Sequence, residues 1–185
     1  ERAFRKSVLL GENSVLKTAD AYIGLAKAYS ANKNPDEAFK VLGQLNKNFI
    51  TDEVRLKALA IEGMVHHQHG NVEKAKQVAT ELTQFLTSNN IHPDSDGALE
   101  IAHLLMTTGD KEKAITLLQN EIKNNPENNR LLQDVAKIFD QAGMGEEGNQ
   151  MIETFRKEAM IIMDRGVLLI SKGQYEEALI AMRDA

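Results

Sequence analysis

Along most of this chain apolar residues return every three or four positions, the period of a helix buried along one face. Tyr22, Leu25 and Tyr29 show it, as do Ile101 and Leu105. Aromatic and β-branched residues do not gather in alternating runs, and only three prolines occur, so helix is expected throughout. The pattern predicts helices over 19–32 and 35–48, 52–69 and 72–88, 95–108 and 111–124, 128–142 and 146–157, and 159–172 and 175–184. Thr51, Asp94 or Ser95, and Asp110 stand where N-caps are expected. Residues 1–14 read as the tail of an earlier second helix. The chain stops inside the last predicted helix at Ala185, so the sequence is expected to be part of something longer.

One spacing recurs five times. A small residue is followed twelve positions later by another: Ala26 and Ala38, Gly63 and Ala75, Ala102 and Ala114, Ala136 and Gly148, Gly166 and Ala178. Seven residues into four of these intervals stands a glycine (Gly70, Gly109, Gly143, Gly173), and into the first stands Lys33 before Asn34-Pro35. Two antiparallel helices approach closely only where side chains are small, and a glycine after a helix supplies the left-handed residue that ends it. The expectation is five helix pairs, each crossing at its two small residues.

Leu25-Ala26-x-x-Tyr29 with Ala38, Gly109-Asp110-Lys111-x-x-Ala114, and Gly173-Gln174-Tyr175-Glu176-Glu177-Ala178 resemble the tetratricopeptide repeat consensus. Pro126 falls where that consensus closes a repeat, and the resemblance covers nearly the whole chain. It implies an all-α solenoid of about five antiparallel helix pairs, wound as a right-handed superhelix. The implied organisation is one such domain: a tail and linker over 1–18, repeats over 19–52, 53–90, 91–128 and 129–158, and a truncated repeat over 159–185. First anchors lie 30 to 39 residues apart, against about 34 for the family. The shortest interval, from Ala136 to Gly166, implies that the second helix of repeat four runs almost directly into the first of repeat five, near 155–163.

A narrower resemblance joins Arg165-Gly166-Val167, with Gly173, Ala178 and Arg183, to the last repeats of bacterial response regulators that carry a tetratricopeptide tail. Ser14-Val15-Leu16-Lys17-Thr18 is similar to the same group. This implies a receiver domain ahead of Glu1 and a place in bacterial signal transduction.

Composition narrows the functions open to such a fold. A net charge of −5 and a pI near 5.6 disfavour binding to nucleic acid, which calls for a basic face. The absence of cysteine removes disulfides, thiolate zinc sites and cysteine nucleophiles, and it fits a cytoplasmic location. Apolar runs fall far short of the roughly 18–20 residues of a membrane span. No phosphate loop, serine elbow or paired-carboxylate signature is present, so no enzymatic activity and no cofactor are expected. Asp36-Glu37, Asp52-Glu53 and Glu146-Glu147 stand at helix starts, where the helix dipole favours acids.

His66, His67, His69 and His103 invite comparison with a metal site. The first two point to different sides of their helix, and no His-Glu-x-x-His pattern occurs, so no metal is expected. Glu62, four residues before His66, could pair with it. Glu62 and Arg165 both occupy places where the family has leucine, which implies locally open packing or a partner charge.

By the resemblance, the first helix of each pair lines the concave face. The groove candidates are Ile23, Lys27 and Ser30, then Met64, His67 and Gln68, then Leu99, His103 and Met106, then Gln133, Lys137 and Asp140, and finally Met163, Val167 and Ile170. Of these, Ile23, Lys27, Met64, His67, His103, Met106, Gln133, Lys137 and Val167 are taken as the partner-binding set, with some expected to pack on the neighbouring repeat instead. Chaperone-tail binders of the family hold a terminal carboxylate with basic residues and asparagine, but here those positions carry Ile23, Lys27, Ala60 and Ile61, so that clamp is missing. The expected function is a scaffold that binds a protein or peptide in its groove. Two alternatives stand beside it: a homodimer or higher self-assembly through the methionine-rich Met151 and Met160–Met163 region, and a histidine-based metal or small-ligand module.

Overall fold

The computed structural model describes residues 15–48, 51–126 and 128–183. Among them are nine helices and no strand, the all-α architecture expected. They are α1 (Val15–Ala31), α2 (Pro35–Asn48), α3 (Asp52–Gln68), α4 (Val72–Asn89), α5 (Ser95–Thr108), α6 (Lys111–Asn124), α7 (Asn129–Gln141), α8 (Gly145–Ser171) and α9 (Tyr175–Arg183). The tail expected over 1–14 lies outside the described residues.

One turn, repeated five times, links the two helices of each pair. Seven residues after each first anchor the backbone turns left-handed: Lys33 (φ 59°), Gly70 (81°), Gly109 (99°), Gly143 (71°) and Gly173 (76°). The next N–H then reaches back five residues, from Asn34 to Tyr29, Asn71 to His66, Asp110 to Leu105, Met144 to Phe139 and Gln174 to Leu169, at 2.8–3.0 Å. This is the 6→1 bond that satisfies an orphan carbonyl at a helix end. The carbonyl of that same residue accepts the N–H of the second anchor, at Ala38, Ala75, Ala114, Gly148 and Ala178. The twelve-residue spacing is therefore the length of one hydrogen-bonded corner. Lys33 holds its corner without glycine, at the steric cost that a Cβ brings to that region.

The described residues fall into two compact units, Glu1–Ala114 and Ile115–Ala185, divided within the first turn of α6. In the first unit α1 pairs with α2 and α3 with α4; α3 also packs on α1 and α2, and α5 on α3 and α4. Its core joins Leu25, Tyr29, Leu42 and Leu45 of the first pair to Val54, Ile61 and Val65 of α3. The anchor at Gly63 does more than admit its own partner helix. A Cβ there would lie 2.6 Å from the Leu104 side chain of α5, so the missing side chain makes room for the next pair.

In the second unit α7 packs on α8, and α8 on α9. Where the sequence pattern predicts two helices, over 146–157 and 159–172, the chain forms one, 27 residues long. No glycine or proline stands between Gln150 and Arg165, and propagating a helix is easier than restarting one. The N-terminal half of α8 receives Phe139 of α7 at Gly148, and the C-terminal half receives Met182 of α9 at Gly166. One helix thus serves two pairs.

The crossing at Gly148 is tight because the atoms facing it are Phe139 Cβ and Cγ, both at 2.6 Å and close to the backbone. Gly148→Ala is expected to destabilise by about 1–3 kcal/mol through overpacking, outweighing the ~1 kcal/mol that alanine gains in a helix. Gly43 of α2 has open space around it, with nothing within 4 Å of where a Cβ would stand, so Gly43→Ala is expected to stabilise by about 0.5–1 kcal/mol. Urea denaturation of both variants checks the pair; a stabilising Gly148→Ala would mean the crossing has slack.

Candidate partner-binding groove

Within the first unit α3 lies between α1 and α5, and a cavity of about 340 Å³ opens where the three meet. That is at the lower end of the ~300–1,000 Å³ of typical ligand sites. Ala31, Ile61, Met64 and Val65 supply its apolar surface, and Lys27, Ser30, Gln68, Glu100 and His103 its polar groups. Apolar lining with a few converging polar groups suits recognition of a side chain with its flanking backbone.

The polar groups are already engaged with one another. The Lys27 ammonium of α1 makes an ion pair with the Glu100 carboxylate of α5. Buried Ser30 donates from Oγ to Gln68 Oε1 at 2.6 Å, with His69 Nε2 at 3.4 Å. Thr107 Oγ1 of α5 lies 3.5 Å from Met64 Sδ across the α3–α5 boundary, with nearer acceptors in its own helix at the His103 and Leu104 carbonyls, 3.0 and 2.9 Å away. Burial lowers the pKa of His103; the Glu100 carboxylate opposes this shift, and Lys27 and His67 reinforce it. A neutral imidazole results, with one nitrogen to donate and one to accept.

Of the nine predicted binding residues, Lys27, Met64 and His103 line this cavity. His67 stands close enough to bear electrostatically on His103. Ile23 and Met106, buried at 8 % and 3 % exposure, do not border it, whereas Met64, as buried at 7 %, does; Ile23 belongs to the core joining the first pair to α3. Packing accounts for these two. Gln133 and Lys137 are exposed on α7 in the second unit, with Lys137 bound to Asp134 at 2.8 Å, and Val167 is 60 % exposed on α8. Glu100 was missed by sequence reasoning, although its place three residues before His103 puts both on one face of α5.

The helix-borne histidines diverge. His66 stacks on Phe39 of α2 with ring centroids 4.5 Å apart, His67 lies toward His103, and His69 lies toward Ser30 of α1. Among the described residues no three His, Asp or Glu side chains are grouped to hold a metal ion. Nor does an ion pair join Glu62 to His66. Burial, then the like charge of Glu81, raises the Glu62 pKa, while burial and then Lys74 lower that of His66. Arg165 is exposed, so its departure from the family pattern carries no burial cost.

What holds α5 in place is a residue that the hydrophobic pattern conceals. Lys57 of α3 is 9 % exposed, and its ammonium reaches Asp94 at 2.8 Å and Glu53 at 3.1 Å. Asp94, not Ser95, caps α5, accepting the Gly97 N–H at 2.7 Å. One carboxylate therefore ends a helix and ties it to its neighbour. Gly97 must stay small, because a Cβ there would lie 2.9 Å from Asp94 Oδ1. Burial alone would lower the Lys57 pKa, but the hydrogen bonds and charges of Asp94 and Glu53 outweigh it and raise the value. Burial alone would raise the Asp94 pKa, but Lys57, the Gly97 N–H and Glu53 together lower it.

A carboxylate held below its ordinary pKa of 3.8 stabilises the fold above that value and loses the contribution as pH falls through the folded-state pKa. A lysine held above 10.5 contributes fully below that value and loses it as pH rises past its folded pKa. Asp94→Asn keeps a capping oxygen and removes the charge. It is expected to cost about 1 kcal/mol at neutral pH, a modest figure because Asp94 is half-exposed and Glu53 remains beside Lys57. The difference from the parent chain should vanish well below pH 3.8. Thermal melts of both proteins across pH test this, and a difference independent of pH would assign the loss to something other than the ion pair.

Comparison with known proteins bears on the first helix pair. A family model described as tetratricopeptide repeat matches residues 20–49, which hold the anchors Ala26 and Ala38 and the left-handed Lys33. No curated protein and no solved structure matches the chain. Among the described residues no helix is long and apolar enough to cross a membrane. Residues 20–49 are thus similar to a tetratricopeptide repeat, and the described residues form an all-α, tetratricopeptide-like arrangement of helix pairs.

Proposed function

We infer that this chain is a protein-interaction scaffold and that the α1–α3–α5 cavity receives an apolar side chain of a partner peptide. Tetratricopeptide repeats generally mediate protein–protein interaction, and the reading is carried by Lys27, Met64 and His103 converging on one cavity. Met64 gives it an adaptable apolar surface, since an unbranched thioether repacks around differing shapes. Neutral His103, Gln68 and Ser30 offer donors and acceptors to the peptide backbone on either side of the anchor. The role is binding, without catalysis. A wider setting as the output region of a response regulator rests on sequence resemblance alone.

The test is selection from a random peptide display library on the parent chain, followed by titration of the selected peptides. They are expected to share one apolar anchor, and His103→Glu and Lys27→Glu are expected to weaken them at least tenfold, about 1.4 kcal/mol, with unchanged helical circular dichroism. Peptides that bind both variants as tightly as the parent would place recognition elsewhere.

A further inference from the structure

Two lysines of the first unit reach from one helix pair to the next, and they differ in how firmly they are held. The Lys57 ammonium of α3 takes two carboxylates, and its side chain is 11 % exposed. Releasing it would leave an enclosed charge without a partner. Lys27 of α1 takes one carboxylate, that of Glu100 on α5, and its side chain is 46 % exposed. A lysine this open can turn its ammonium into water on a flexible stem, with no such penalty.

The position of the second pair gives that freedom a consequence. α1 and α5 both flank α3, and among the described residues they do not pack on one another. Lys27–Glu100 therefore bridges a gap that helix packing leaves, joining the first and third helix pairs over the helix between them. Both residues line the α1–α3–α5 cavity, whose apolar floor is Ile61, Met64 and Val65 of α3. Those three are buried and the ion pair is partly exposed, so the pair stands on the solvent side of the floor. It is not needed to hold α5, which is already fixed by Asp94 on Lys57 and by Leu104 at Gly63. An ion pair open to solvent adds little to stability in any case. What it can control is entry.

We propose that Lys27–Glu100 is an autoinhibitory strap across the mouth of the cavity, released as a partner peptide enters. The proposal rests on the reading of this cavity as a peptide site. With the strap closed, Glu100 engages the Lys27 ammonium. With it open, Glu100 turns to water and Lys27 is left to donate to a backbone carbonyl of the partner. The apparent dissociation constant is then the intrinsic one divided by the fraction of chains that are open.

The test is titration of the whole 185-residue chain with N-acetyl-leucine amide, followed by NMR at the Met64 methyl group. This probe is neutral and carries one apolar side chain between two amide groups, so ligand charge plays no part. Glu100→Gln keeps the shape of the side chain and removes its charge. It is expected to tighten binding about two- to fivefold, the reach of an exposed ion pair. The gain should be present at ~0.1 M salt and shrink toward none at ~1 M, as the screening length falls from about 10 Å to 3 Å. Glu73→Gln removes the same charge from an exposed pair with Lys76 on α4 and is expected to leave binding unchanged. Binding by Glu100→Gln no tighter than by the parent, an equal gain from Glu73→Gln, or a gain that persists at high salt would each overturn the strap while the cavity reading stands. A probe that binds neither the parent nor Glu100→Gln would overturn the cavity reading, and the strap with it.

Discussion

Every helix pair in this protein turns on a single backbone constraint, the left-handed residue seven positions after the first anchor. It ends the first helix, directs the following N–H back to a carbonyl five residues earlier, and leaves its neighbour's carbonyl to start the second helix. The bond pattern needs a fixed number of residues, so the small-residue spacing of twelve is invariant while intervals between pairs vary. Where glycine holds the position the conformation is free of a Cβ clash; at Lys33 the same corner forms against it. The hydrogen-bonded frame around the position is strong enough to impose the geometry on either residue.

The groove follows from that constraint at one remove. Fixed corners give each pair a fixed crossing, and the close approach of successive first helices depends on what stands between them. At Gly63 a missing side chain lets Leu104 come in, and at Lys57 a buried charge fastens the start of α5. These two contacts set how far α5 stands from α3, and hence the width of the cavity holding Met64 and His103. Neither touches the cavity itself. Removing water from Lys57 is unfavourable and is offset because two carboxylates are present, which ties the position of α5 to the ionisation of Asp94.

The second unit shows the same corner with a different outcome between corners. Without a breaker between Gln150 and Arg165, α8 runs through the place where one pair would end and the next begin. Its C-terminal half then receives α9 at Gly166 and leaves Met160, Met163, Val167 and Ile170 exposed.

The order of elements was legible in the sequence, because periodic apolar positions and left-handed glycines act locally; α2, α5 and α6 fall where the pattern put them. So was the short interval before Gly166, although its resolution into one continuous helix depended on the lack of any signal to stop. The candidate site was legible only in part. Lys27, Met64 and His103 were placed by helical register, which sequence supplies, but Ile23 and Met106 share that register too and pack away from the cavity against neighbours that register cannot name. Glu100 and Lys57 escaped because their partners, Lys27 and Asp94, stand 73 and 37 residues away. The sequence by itself determined where each pair folds back on itself, since those bonds span five residues or fewer. Only the tertiary structure decided which polar groups meet across helices, because such pairings depend on distances that packing alone sets.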